Sequence, residues 1–251
     1  MTWSVDLKGD QFDLEEWVKW LDGSKFRVSV HSSAYRLTSD LFAALEDPNE
    51  VKCAAEELIE IGNGLGRLLW SEYQPVAVGN VQFTEEDGSK KVFLTGRDVG
   101  RSRAKASADV VSSDGTLKSD PSVGAIARLL PLTLESEPVR RALLFVAREE
   151  LRWNDLYRAW EVVREDVGNK RFSRGWISRR ADERFRRTAN SFTVLGLEAR
   201  HGETRHPPPK DPLEFSQAKA LVLELVLQWV THTDTGEEAT DQNDPRGANS
   251  A

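Results

Sequence analysis

The sequence predicts an α+β protein: a small N-terminal mixed α+β domain with a hairpin, then a C-terminal helical bundle and a disordered tail. Three observations predict it. Apolar residues alternate with polar ones in several short runs of the first hundred positions, interleaved with helical spacing. Beyond Asp120-Pro121 the apolar residues recur at helical intervals only. After Thr233 large apolar residues disappear, leaving DTGEEATDQNDPRGANSA. The expected boundaries are residues 1–111 for the α+β domain, 112–122 for a linker, 123–231 for the helical domain and 232–251 for a disordered acidic tail.

Trp3, Val5 and Leu7 alternate as in a half-buried strand, and Asp13 to Leu21 follows as a short helix closed by Asp22-Gly23. Phe26, Val28 and Val30 form a second alternating run, which Tyr35-Leu37 continues or pairs with. Thr38 or Ser39 is placed to cap a brief helix through Leu45. Asp47-Pro-Asn-Glu50 is a helix start: Asp47 can accept free backbone N–H groups, Pro48 suits the first turn, and Glu50 suits a capping box. Val51, Ala54, Ala55, Leu58, Ile61, Leu65 and Leu68 give that helix a packed face, and Gly62, Gly64 and Gly66 are expected to end or interrupt it. These glycines follow no strand, so they are read as structural and not as a phosphate-cradling loop.

Pro75–Phe83 and Lys91–Thr95 flank the turn-forming stretch Glu85–Lys90 and predict a hairpin. Ala104, Ala106, Ala108 and Val110 alternate weakly as a further strand. Ser112-Ser-Asp-Gly-Thr and Ser119-Asp-Pro-Ser are rich in turn formers and mark the linker. Val123–Leu130 reads as a first helix, stopped by Pro131. Pro138 opens a long helix reaching Val167, with Val139, Val146, Trp153, Leu156, Trp160 and Val163 as one stripe and Gly168-Asn169 as its C-terminal stop. Trp176 to Phe192 reads as helical, with Ile177, Ala181 and Phe185 on one face. Pro207-Pro-Pro209 is rigid and extended. A last helix spans Leu213–Val230, with Ala218, Leu221, Val222, Leu225 and Trp229 inward.

No apolar run approaches the ~18–20 residues a membrane span requires, so no membrane association is expected. The N-terminus lacks a secretory signal pattern. Cys53 is the only cysteine, which excludes an internal disulfide and a cysteine zinc site and fits a cytoplasmic location. Cys53 lies beside Ala54 and Ala55 and is read as a packed, inert thiol. The four histidines, His31, His201, His206 and His232, form no ligand pattern of the HExxH kind, so no metal is expected, and nothing suggests another cofactor. No GxSxG occurs.

The formal charge is −7, unlike that of a general nucleic-acid coat. Yet Lys170 to His206 holds ten Lys/Arg against four Asp/Glu, a +6 island on an acidic body. Arg179, Arg180, Arg184 and Arg187 are the candidate nucleic-acid-binding residues, with pairing to neighbouring carboxylates as the alternative. Arg200, His201 and His206 are the candidate catalytic residues. Arginine binds phosphate oxygens bidentately, and histidine moves a proton near neutral pH, so the set suits metal-independent attack of an RNA 2′-hydroxyl on its neighbouring phosphate. The alternative is that Arg200 bridges to Glu198 or to the acidic long helix.

The helical half, with Trp153-Asn-Asp-Leu-Tyr-Arg-Ala-Trp-Glu161 and the late Arg200-His201…His206, resembles the HEPN superfamily over roughly residues 138–231. The resemblance implies a helical bundle, often a homodimer, and for many members a metal-independent endoribonuclease of toxin–antitoxin or antiviral systems. The family motif is an arginine followed after four to six residues by histidine. This chain departs from it in that Pro207-Pro-Pro209 places His206 on a loop, whereas the family motif opens a helix. The expected function is therefore an HEPN-like protein that binds or cleaves RNA in stress or phage defence. A non-catalytic module that engages a partner protein or regulates one is the alternative.

Overall fold

The computed structural model describes residues 2–23, 25–70, 72–94, 121–202 and 208–234. It divides into two compact units, Met1–Leu151 and Arg152–Ala251.

The first unit is built on a five-stranded antiparallel sheet in the order β2-β3-β1-β4-β5. Its central strand β1 (Thr2–Lys8) buries Trp3, Val5 and Leu7, as their alternation predicts. Val5 faces Leu37 of β3 (Ala34–Ser39) on one side and Val81 of β4 (Ala77–Thr84) on the other. β2 (Phe26–His31) buries Phe26 and Val28 but exposes Val30 near the sheet edge. β4 and β5 (Lys90–Phe93) form the predicted hairpin. Ser39 caps a single 3₁₀ turn, Asp40–Phe42.

Helix α1 (Gln11–Trp20) is capped by Asp10, whose side chain accepts the Phe12 N–H. Helix α2 (Pro48–Leu69) starts at Asp47, which accepts the Asn49 N–H. It does not stop at the glycines. It runs through all three, because each lets another part of the unit come close. A Cβ on Gly62 would lie 2.2 Å from the Trp17 ring, on Gly64 2.7 Å from the Leu143 carbonyl oxygen, and on Gly66 2.8 Å from the Tyr73 ring. Cys53 is exposed, contrary to its expected packing. Val51, Ala55, Leu58, Ile61 and Leu65 set the inward face, and Cys53 falls outside it.

Helix α3 (Pro121–Glu135) carries Pro131 inside it and is not stopped there. Helix α4 (Glu137–Val146) follows, and both pack on α2. The boundary expected at residues 112–122 is thus corrected: α3 and α4 belong to the first unit. Residues 121 and 122 are helical. Residues 112–120, the expected strand from Ala104 to Val110, and Thr95 lie outside the described residues.

The long helix expected from Pro138 to Val167 is two helices. α4 ends at Val146, and α5 (Trp153–Val167) begins after a break. Exposed Arg148, Glu149 and Glu150 interrupt the apolar stripe, and Arg67 of α2 donates to the Arg148 carbonyl. Asp155 then accepts the Arg152 N–H and starts α5.

The second unit is helical among its described residues. α5 ends at Gly168, whose φ of +51° suits glycine. α6 (Lys170–Ser173), α7 (Arg179–Ala189), α8 (Phe192–Leu195) and α9 (Phe215–Asp234) complete it. Trp153, Leu156, Trp160 and Val163 of α5 are buried with Phe185 of α7 and Val222, Leu225 and Trp229 of α9. Trp153 and Phe185 stack with centroids 6.2 Å apart, and Phe215 meets Trp153 edge-on. α9 continues through Asp234, so the tail expected from residue 232 begins three residues too early. The rest of that tail lies outside the described residues.

No helix among the described residues is long and apolar enough to cross a membrane.

Candidate nucleic-acid interface

Helix α7 begins at Ser178, whose side chain accepts the Ala181 N–H. Its inner side is fixed by buried Asp182, Phe185, Thr188 and Ala189. The helical period therefore turns Arg179, Arg180, Glu183, Arg186 and Arg187 outward, and all five are exposed. Four guanidinium groups and one carboxylate make this face strongly cationic.

Asp182 anchors the helix from within. One of its oxygens accepts the Trp160 indole N–H at 2.9 Å and the Arg171 Nε–H at 3.2 Å. Its other oxygen lies 3.4 Å from Arg186. Arg171 is buried and also donates to the Gly168 carbonyl, so this arginine is a core staple. Arg186 is thus held by a buried carboxylate, whereas Arg187 forms an exposed pair with Glu183 at 3.9 Å. Such exposed pairs contribute only ~0–1 kcal/mol and yield readily to another anion.

Of the four arginines proposed from the sequence, three stand on the exposed face: Arg179, Arg180 and Arg187. Arg184 does not. It donates to the Asp211 and Pro212 carbonyls and pairs with the Asp211 carboxylate at 2.9 Å, tying the segment before α9 to α7. Two aromatic rings precede α7. The Arg179 guanidinium lies 4.5 Å from the centre of the Phe172 ring, and Arg174 lies 5.2 Å from that of Trp176. Sequence reading passed over Phe172 and Trp176. Their signal was the alternation of aromatic and basic residues from Lys170 to Arg180.

Of the proposed catalytic set, Arg200 and His201 fall among the described residues. Arg200 sits after a second 3₁₀ turn, Gly196–Glu198, and its backbone N–H donates to the Ala189 carbonyl. Its guanidinium pairs with Glu161 of α5 at 3.0 Å, donates to the Tyr157 hydroxyl at 3.1 Å and covers the Tyr157 ring at 4.5 Å. It bridges to the acidic helix, the alternative the sequence left open, and not to Glu198. His201 is exposed beside it. His206 lies outside the described residues. No group of three or more His, Cys, Asp or Glu suited to a metal ion occurs among the described residues.

Comparisons with protein-family models, with curated proteins and with solved structures find no match to this chain.

Proposed function

We propose that the second unit is an HEPN-like, non-catalytic RNA-docking module that presents the outer face of α7 to the phosphate backbone. The observation that carries this reading is the exposure of Arg179, Arg180, Arg186 and Arg187 on one helix face with Glu183 as its only acid. Guanidinium groups bind phosphate oxygens in pairs, and in this reading unpaired bases take the place of Arg179 on the Phe172 ring and of Arg174 on the Trp176 ring. That combination favours single-stranded RNA over an acidic protein. Arg200 supports a non-catalytic reading, because a guanidinium engaged by Glu161 and Tyr157 is a poor clamp for a reacting phosphate.

Fluorescence anisotropy with mixed-sequence single-stranded RNA in EDTA, across a salt series, tests the proposal. Binding is expected to weaken as salt rises. Arg179→Glu, Arg180→Glu and Arg187→Glu together are expected to lower the slope of log affinity against log salt by roughly two, at about 0.7 per lost phosphate contact on a single strand. Arg184 is left intact because it holds the fold. RNA cleavage in EDTA that vanishes in Arg200→Ala would replace this proposal with a metal-independent endoribonuclease. Failure to bind RNA at low salt would leave the partner-protein reading in its place.

A further inference from the structure

We propose that the loop from Asn190 to Ala199 is the base-contacting part of the same RNA site, with Phe192 stacking on an unpaired base and Arg200 holding the loop in place. This assignment rests on the RNA-docking reading of α7. It adds what the arginine face alone does not supply, a contact to the base.

The loop is tied at both ends. The Asn190 N–H donates to the Arg186 carbonyl and the Ser191 N–H to that of Thr188, so the chain winds tightly out of α7. At the far end the Arg200 N–H returns to the Ala189 carbonyl at 2.9 Å and closes a compact surface loop. The Arg200 guanidinium meets Glu161 at 3.0 Å and the Tyr157 hydroxyl at 3.1 Å, which fastens that closure to α5. Arg200 is thereby a positioning residue.

Between these ties the loop is apolar and uncovered. α8 and the 3₁₀ turn Gly196–Glu198 bury none of their residues, although they carry Phe192, Val194, Leu195 and Leu197. Leu197 is 94% exposed and Phe192 37%. Among the described residues no second ring and no guanidinium lies against Phe192, whereas Phe172 and Trp176 each carry an arginine. Apolar side chains left to water this close together mark a contact site.

Charge selects the occupant. Arg186 and Arg187 precede the loop, Arg200 and His201 follow it, and Glu198 is its only acid. The partner that fits exposed cations beside an uncovered ring is one that joins phosphates to flat bases, as a single strand of RNA does. With a phosphate on Arg187, the wound exit from α7 keeps Phe192 at the same end of the arginine face as the adjoining base.

The test compares the full chain with its Phe192→Ala variant by calorimetry at low salt in EDTA. The probes are mixed-sequence single-stranded RNA and inorganic polyphosphate, which has the phosphates without the bases. Phe192→Ala is expected to bind RNA roughly tenfold more weakly, the loss of one base stack, and to bind polyphosphate as wild type does. Phe192→Trp is expected to retain RNA affinity. Arg187→Glu is expected to weaken both probes. Arg200→Ala is expected to cost RNA binding about as much as Phe192→Ala and to add little to it in the double variant, since both act through one ring. Additive losses would overturn the role given to Arg200. Equal RNA affinity of wild type and Phe192→Ala would overturn the loop assignment, as would an equal loss for both probes. If Phe192→Ala instead shifts self-association in sedimentation and leaves RNA affinity unchanged, the loop is a contact between copies of the chain and the assignment fails. A wild-type chain that does not bind RNA overturns the RNA reading itself, a result read before any variant is made.

Discussion

The Trp160 indole and the Asp182 carboxylate meet at 2.9 Å in the buried interior of the helical unit, and the same oxygen holds the Arg171 guanidinium. α5 supplies the indole, the turn after it supplies the arginine, and α7 supplies the acid. One side chain thereby orients the helix that carries the arginine face.

Asp182→Ala is expected to destabilise the second unit by about 3–5 kcal/mol, because it strands a buried guanidinium and an indole N–H together. Urea unfolding followed by circular dichroism measures the loss. Asp182→Asn keeps one acceptor oxygen but removes the charge, and its cost is expected to fall between wild type and alanine.

Gly62→Ala and Gly64→Ala are each expected to destabilise the first unit, although alanine favours helix over glycine by about 1 kcal/mol. The new Cβ would meet the Trp17 ring at 2.2 Å or the Leu143 carbonyl at 2.7 Å. Trp17 has little room to yield, since its Nε1 donates to the buried Tyr73 hydroxyl at 2.8 Å. Overpacking of this kind costs about 1–3 kcal/mol. A thermal melt showing either variant to be more stable than wild type would contradict the close packing.

The β4–β5 hairpin is expected to loosen in acid. Hydrogen bonding and attraction from Lys91 hold Glu85 below the usual carboxylate range, and the Ser89 N–H does the same for Asp87. Both folded values lie below the unfolded ones, so these contacts are fully present above the unfolded carboxylate pKa and are lost as pH falls through the folded ones. Lys91 is raised by Glu85, so its share is complete below the ordinary lysine value and fades as pH climbs through the folded one. Amide shifts of Glu85 and Ser89, followed from neutral pH into acid, should report the opening before any global transition.

How much of this was legible in the sequence depended on the range of the interaction. β1 could be read because its period of two is local, and the start of α2 because Asp47-Pro48 acts within one turn. The break between α4 and α5 was hidden because Val146 to Trp153 is a step of seven, which an unbroken helix would also show. Gly62, Gly64 and Gly66 looked like helix breakers because the groups they admit, Trp17, Leu143 and Tyr73, lie far away in sequence. The arginine-rich helix was evident. Which arginines were engaged was not: Arg184 finds Asp211 across 27 positions and Arg200 finds Glu161 across 39. Such pairings exist only once helices have packed.

The indole hydrogen bonds carry a practical consequence. Trp3 donates to the Leu45 carbonyl and Trp17 to the Tyr73 hydroxyl in the first unit, while Trp160 and Trp229 donate to Asp182 and Asp166 in the second. Each unit therefore contains its own pair of hydrogen-bonded indole protons, expected to exchange slowly, in a region of the spectrum where few other signals fall. Their decay in heavy water times the opening of each unit separately within the intact chain. If the Trp3 and Trp17 signals outlast those of Trp160 and Trp229, or the reverse, the two halves open independently; a common lifetime means that they open as one.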